Sequence, residues 1–142
     1  MAVAAGVVVI DQLTKVWAVS ALADGPVRVL GSVLQFRLTR NPGGAFSILT
    51  NLTPVLALLA VAMVVYIVRT TRRTADLVMA YSLGLVLGGA VGNLVDRMVR
   101  SPGVLRGEVV DFIKVPHWPT FNVADSAITV GVILIALRGW KQ

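Results

Sequence analysis

Four stretches of this sequence are each long and apolar enough that, in lipid, only a helix closing its own backbone hydrogen bonds can accommodate them. They run from about residue 2 to 22, 52 to 68, 76 to 97 and 121 to 137. A membrane span needs about 20 mostly apolar residues, within a usual range of about 17 to 25. Composition agrees: 56% of the 142 residues are hydrophobic and 14% charged, where soluble domains carry about 25% charged residues. Mean hydropathy is +0.82. At this length one domain is the prior, so residues 1–142 are expected to form a single membrane domain. The expected fold class is an all-α membrane protein with four transmembrane helices and a small extracytoplasmic sheet and loop region at the membrane surface.

The first stretch also has the small-x-small pattern of a signal-peptide cleavage site at Ala21-Leu22-Ala23. Against cleavage, no basic residues precede the apolar run, and Asp11 and Lys15 interrupt it. It is read as a retained helix. The net charge of +6 would suggest nucleic acid in a soluble protein; here the basic residues crowd the polar connections, where they meet headgroups and set topology. Arg69, Arg72 and Arg73 lie between the second and third spans, and Arg138 and Lys141 follow the fourth. Their density places both termini in the cytoplasm. By raw count the opposite side is richer, with Arg28, Arg37, Arg40, Arg97, Arg100, Arg106 and Lys114, but these are spread over two much longer connections.

Those outer connections carry extended segments. From Val33 to Thr39, Leu34, Phe36 and Leu38 alternate with Gln35, Arg37 and Thr39, the period of a half-buried strand. Asn41-Pro42-Gly43-Gly44 then breaks it. Val109 to Ile113, bounded by Gly107 and Pro116, is the second extended run. The two can pair into a sheet outside the hydrocarbon, where open edges are tolerated. Trp118 is read as an interfacial anchor, in preference to a catalytic role for His117.

Polar groups then stand out against the apolar background. Gly84, Gly88 and Gly92 form a small-residue stripe for close helix approach. Gly89, Asn93, Asp96 and Arg97 share an adjacent face, spaced by three and four, which points to a buried hydrogen-bonded network. On that basis Arg97→Ala is expected to weaken both activity and stability. In the fourth span Asn122 suits a helix N-cap and Asp125 the first turn, although Asp125 sits at the edge of hydrocarbon. Asp11 and Lys15 are an i, i+4 pair able to partner one another.

The absence of cysteine excludes disulfides and thiolate chemistry, and the lone His117 excludes a multi-histidine metal site. A carboxylate pair needs neither, since two adjacent carboxyls share a proton, one activating water while the other polarises a carbonyl. The outer-side acids are Asp96, Glu108, Asp111 and Asp125, and residue types alone do not choose among them. An intramembrane relay of a small transporter fits such groups about as well, although it needs polar groups through the whole membrane depth. A purely structural subunit held by the glycine stripe is a third reading.

Four blocks shift that balance: Asp11-Gln12-Leu13-Thr14-Lys15; Asn41-Pro42-Gly43-Gly44-Ala45-Phe46-Ser47; Gly88 to Arg97 with Val109-Val110-Asp111-Phe112; and Phe121-Asn122-Val123-Ala124-Asp125-Ser126. Together, in this order and across nearly the whole chain, they resemble lipoprotein signal peptidase (signal peptidase II). That family comprises membrane aspartic peptidases that remove signal peptides from lipid-modified bacterial prolipoproteins. The resemblance implies Asp111 and Asp125 as the catalytic pair. It implies Asn41, Gly89, Asn93, Arg97 and Asn122 as groups that position the pair, the substrate backbone or the lipid, with Asp11, Lys15 and Asp96 in support. It further implies cleavage N-terminal to a diacylglyceryl-modified cysteine, no cofactor or metal, no nucleic-acid partner, a bacterial plasma-membrane location and lateral substrate entry from the bilayer. A four-helix bundle with its site inside is expected to act as a monomer. Two departures accompany the resemblance: no basic leader precedes the first span, leaving room for a longer native N-terminus, and Pro42 stands where a less rigid residue is common.

Overall fold

The computed structural model describes residues 1–42, 53–71 and 76–140. The Gly43 to Ser47 part of the Asn41 block, Leu52 at the start of the second expected span, Arg72, Arg73 and Lys141 lie outside the described residues. In chain order the elements are α1 (Ala2–Ala21), β1 (Val27–Leu30), β2 (Leu34–Asn41), α2 (Thr53–Thr71), α3 (Leu77–Val99), β3 (Val109–Lys114) and α4 (Val123–Gly139).

By length and apolar composition α1, α2 and α3 can cross a membrane. Among the described residues the expectation of four such helices is met by three, because α4 has 17 residues there. That is the lower end of the usual spanning range of about 17 to 25 residues. A three-stranded antiparallel sheet of order β1-β2-β3 stands at one end of the helices. The strands β2 and β3 fall where alternation and flanking turns predict them, and β1 is an addition.

Helix α3 packs against each of the other three helices. Its glycine stripe takes α1 in a constant register: Gly84 meets Val3, Gly88 meets Val7 and Ala4, and Gly92 meets Asp11. The next step of the same ladder is Lys15 against Asp96. The two helices therefore run parallel, and a Cβ on Gly88 would lie 2.6 Å from that of Val7. Gly89, one position round, faces α4 at the Ala124 carbonyl and Ile128, and Gly131 of α4 receives Val86 and the Ser82 carbonyl in return. Small residues on both helices let α3 and α4 cross antiparallel at close range.

Two apolar clusters flank the polar layer between them. One joins Ala4, Ile67, Leu83, Val86 and Leu87 at the end away from the sheet. The other joins Ala18 and Leu22 of α1 to Val110 and Phe112 of β3, so the last turn of α1 carries the sheet. Trp17 closes this contact with edge-to-face packing on Phe36 and Phe112, at centroid distances of 5.4 and 6.0 Å. Between β2 and β3 the register slips between Phe36 and Thr39, so the alternation of β2 is broken before Asn41. At the far end, Asp76 caps α3 by accepting the N–H groups of Val78 and Met79 and pairs with Arg138 of α4 at 2.6 Å. The Arg138 guanidinium, with the Met79 N–H, holds the Asp76 carboxyl below the usual carboxylate range.

Candidate active site

Three pieces of local structure deliver the site. Gly107 lies so close to the Asp96 carbonyl and the Arg97 backbone that a side chain has no room, and its N–H bonds the Arg97 carbonyl at 3.1 Å. This contact starts β3 beside the end of α3, and the Val110 N–H then donates to the Asp96 carboxylate at 3.1 Å. Beyond β3 the chain returns on itself: Phe112 and Ile113 both donate backbone N–H groups to the Phe121 carbonyl, and Phe121 donates back to Ile113. That closed loop brings Asn122 and Asp125 next to Asp111. Asn122 and Asp125 then form a capping box that starts α4, in which each side chain accepts the other residue's N–H.

Asp111 and Asp125 line one cavity of about 270 Å³ together with Asn41, Asn93, Arg97, Trp118 and Thr129, among others. The cavity holds both carboxylates by amide groups. Asn122 Nδ2 donates to Asp111 Oδ1 at 2.7 Å and Asn41 Nδ2 to Asp111 Oδ2 at 3.0 Å. Asn93 Nδ2 donates to Asp125 Oδ1 at 2.8 Å. Asn122 itself is fully buried and is bonded to both segments, since its Oδ1 accepts the Asp125 N–H at 2.9 Å.

Burial pushes the Asp111 carboxyl up to about 7, and the charge of Asp125 pushes the same way. The amides of Asn41 and Asn122 and the charge of Lys15 oppose that rise without cancelling it. Arg97 supplies a cation to the same cavity wall and interacts through space with Asp111 and Asp125. Among the described residues no three His, Cys, Asp or Glu side chains converge as a metal-binding group.

Asp96, Asp11 and Lys15 form a separate layer behind the cavity. Lys15, with no exposed surface, bonds Asp11 at 2.8 Å, Asp96 at 2.9 Å and Asn93 Oδ1 at 3.0 Å. Asp96 also pairs with Arg100 at 2.8 Å. Asp11 reaches further, accepting the Ala124 N–H of α4 at 2.9 Å. Of the network expected on the α3 face, Asn93 and Asp96 are joined through Lys15, while the Arg97 side chain lines the cavity. Gly89 lies at the α3–α4 crossing, outside the cavity lining. His117 is exposed, in a left-handed turn.

Thr129 joins the site without a place in the sequence reading, and Gln12 and Arg100, which enter that reading only through the first block and the charge count, take up bonds to Asp96. Gln12 bridges Asp11, Asp96 and the Gly92 carbonyl. For Arg100 and Thr129 a signal was present, since each stands four residues after an acid, Asp96 and Asp125. Two further grooves meet the cavity. One of about 370 Å³ runs between α2, α3 and α4 over Leu56, Met63, Ile128 and Val132 and shares Asn93 and Arg97 with it. The other, about 360 Å³, lies on the opposite flank of α4 and shares Trp118, Phe121, Asp125 and Thr129.

The family description "Signal peptidase (SPase) II" matches residues 3–141. The chain is 52% identical over 137 residues to a lipoprotein signal peptidase of Rhodococcus jostii, covering 95% of this chain and 69% of that protein. A lipoprotein signal peptidase of Mycobacterium avium is 49% identical over 138 residues, covering 96% and 76%. One of Mycolicibacterium smegmatis is 50% identical over 136 residues; there the match covers 95% of this chain but only 58% of the relative. Two solved structures, each described as a bacterial membrane enzyme determined by the in meso method, share the fold. One has a TM-score of 0.88 at 32% identity, covering 98% of this chain and 85% of the other. The second has 0.83 at 33% identity, covering 96% and 88%. Apolar helices of spanning length and this shared fold define a membrane enzyme. The chain belongs to the signal peptidase II family of peptidases.

Proposed function

We propose that this protein is an aspartic endopeptidase that removes the signal peptide from diacylglyceryl-modified prolipoproteins, cutting N-terminal to the lipidated cysteine, with Asp111 and Asp125 as its catalytic pair. The observation that carries the reading is that these carboxylates, from β3 and α4, line one cavity and are each held by an amide N–H. Asp111, held near 7, keeps its proton much of the time at neutral pH. Its O–H then polarises the scissile carbonyl while ionised Asp125 takes a proton from the attacking water. The water oxygen bonds to the carbonyl carbon; collapse of the tetrahedral intermediate breaks the C–N bond as the leaving amine collects a proton from the pair. Asn41, Asn93 and Asn122 orient the two carboxyls, and Arg97 holds a carbonyl or lipid oxygen of the substrate.

The chain works as a single membrane domain with α4 as a fourth span, its capped start lying at the extracytoplasmic surface of the bacterial plasma membrane. Arg69 in the last turn of α2 and Arg138 in the last turn of α4 mark the opposite, cytoplasmic end. The two apolar grooves beside the cavity suit a substrate that carries a hydrophobic segment and acyl chains and arrives sideways from the bilayer. With both carboxylates supplied by one chain, the reading takes the protein to act as a monomer.

The test is cleavage of a diacylglyceryl-modified prolipoprotein by purified protein in detergent, with Asp125→Asn alongside. Cleavage before the modified cysteine by the wild type, and none by an equally folded variant, is the expected result. Equal cleavage by both removes Asp125 from the mechanism.

A further inference from the structure

Every amide at this site faces a choice of two orientations, because Asn presents an oxygen at one corner and an NH₂ at the other. Only one orientation of Asn93 puts a donor on Asp125. The partner that enforces it is Lys15, whose ammonium has three donors and no acceptor. Two of the donors go to Asp11 and Asp96 and the third to Asn93 Oδ1 at 3.0 Å. With Oδ1 held there, Nδ2 is left to donate to Asp125 Oδ1 at 2.8 Å. Asn122 Nδ2 adds a weaker vote at 3.1 Å from the same oxygen.

Building on the dyad reading above, we infer that Lys15 is a positioning residue: through Asn93 it fixes the amide N–H that holds the Asp125 carboxylate for reaction. The ion cluster behind the cavity is then more than a helix clamp. Asp11 and Asp96 place the ammonium, and the ammonium sets the polarity of the one amide between it and Asp125. Lys15 touches neither carboxylate of the pair by hydrogen bond and is wholly buried, so the contact through which it acts on turnover is the one to Asn93. The amide route predicts a coupling between Lys15 and Asn93 that a general effect of lost stability does not.

The experiment is a double-mutant cycle in kcat with diacylglyceryl-modified prolipoprotein. It is built on Asp96→Asn so that loss of the Lys15 charge does not leave two buried carboxylates against one cation. Lys15→Met is expected to lower kcat about 10- to 100-fold, the scale of one hydrogen bond to a charged group, with KM nearly unchanged. In the presence of Asn93→Ala the same change is expected to cost less than about threefold. Losses that multiply across the cycle, or that fall on KM, overturn the proposal. Lys15→Gln removes the charge but keeps a donor facing Asn93, and it is expected to recover most of kcat. It carries the test alone if Lys15→Met fails to fold: a loss as large as that of Asn93→Ala overturns the inference. Asp125→Asn is run beside the cycle to separate the two claims. If it cleaves normally the dyad reading fails; if it is inactive while the cycle is multiplicative, the Lys15 inference fails alone.

Discussion

Asn122 donates its amide N–H to Asp111 at 2.7 Å, and the oxygen of the same amide accepts the backbone N–H of Asp125. One side chain thus caps α4 and ties β3 to it, so the element that begins the helix also sets the spacing of the two carboxylates.

Asn122→Ala is therefore expected to cost both stability and turnover. Loss of the cap and of a donor to a buried carboxylate together are worth about 2–4 kcal/mol, readable by thermal unfolding in detergent. Asn122→Asp keeps the capping oxygen but sets an acceptor against Asp111, the Val110 carbonyl and Asn93 Oδ1, all of which the amide N–H groups now serve. It should therefore lose stability as well as turnover, and an active, stable Asn122→Asp enzyme would count against amide positioning of Asp111.

The pH dependence of stability tests the environment of Asp111. Its folded-state carboxyl is raised from 3.8 to about 7, so between those values the folded chain holds a proton that the unfolded chain has released. Stability falls as pH rises through that window. Asp111→Asn removes this slope. Its melting temperature relative to wild type should be more favourable at pH 8 than at pH 5, and an equal offset at both would show that Asp111 titrates normally.

Glycines on α3 provide a packing test. Gly88→Ala places a methyl group 2.6 Å from the Val7 Cβ and 2.8 Å from the Ala4 carbonyl. Overpacking of this kind costs about 1–3 kcal/mol. Gly6→Ala, which meets nothing within 4 Å, should stay within about 0.5 kcal/mol. Comparing unfolding of the two variants in SDS titrations separates helix approach from any general intolerance of larger residues.

Arg138→Gln removes the ion pair with Asp76 at the end of the bundle away from the cavity. Turnover should be unchanged. The depressed Asp76 carboxyl contributes stability that is present above the usual carboxylate pKa and lost as pH falls through the folded-state value. The variant should accordingly melt below wild type at pH 7, and the gap should close on strong acidification.

Arg97→Gln should lower turnover more than stability, because its side chain lines the cavity instead of anchoring the ion cluster. A melting-temperature loss as large as that of Asp96→Asn, with activity retained, would reverse that assignment.

Much of this arrangement is legible in the sequence where a periodicity reports a local surface. The apolar runs locate all four helices to within a few residues, the glycine spacing gives the α1 contact face, and alternation gives β2. The four-residue strand β1 is invisible for a physical reason: all of its residues are exposed, so no burial pattern is written into Val27 to Leu30, and pairing with β2 alone makes it a strand. Long-range partners are equally silent. Asp11 and Lys15 read as an i, i+4 pair able to partner one another, and the sequence does not say that Lys15 is shared with Asp96 and Asn93. Asp96, Asp111 and Asp125 could not be ranked by residue type. Their surroundings separate them: Asp96 is spent on Lys15, Arg100 and the Val110 N–H, while Asp111 and Asp125 face open space.

The bond from the Ala124 N–H to Asp11 joins residues 113 positions apart. A ribosome delivers Asp11, Gln12 and Lys15 into the bilayer long before α4 has been made. Until the final helix threads in, Asp11 has Lys15 beside it but lacks its α4 partner, the Ala124 N–H. Synthesis thus acts as a timer. A chain halted before α4 keeps its ion cluster but has neither Asn122 nor Asp125, so it is no weakened protease but one whose site has not yet been joined.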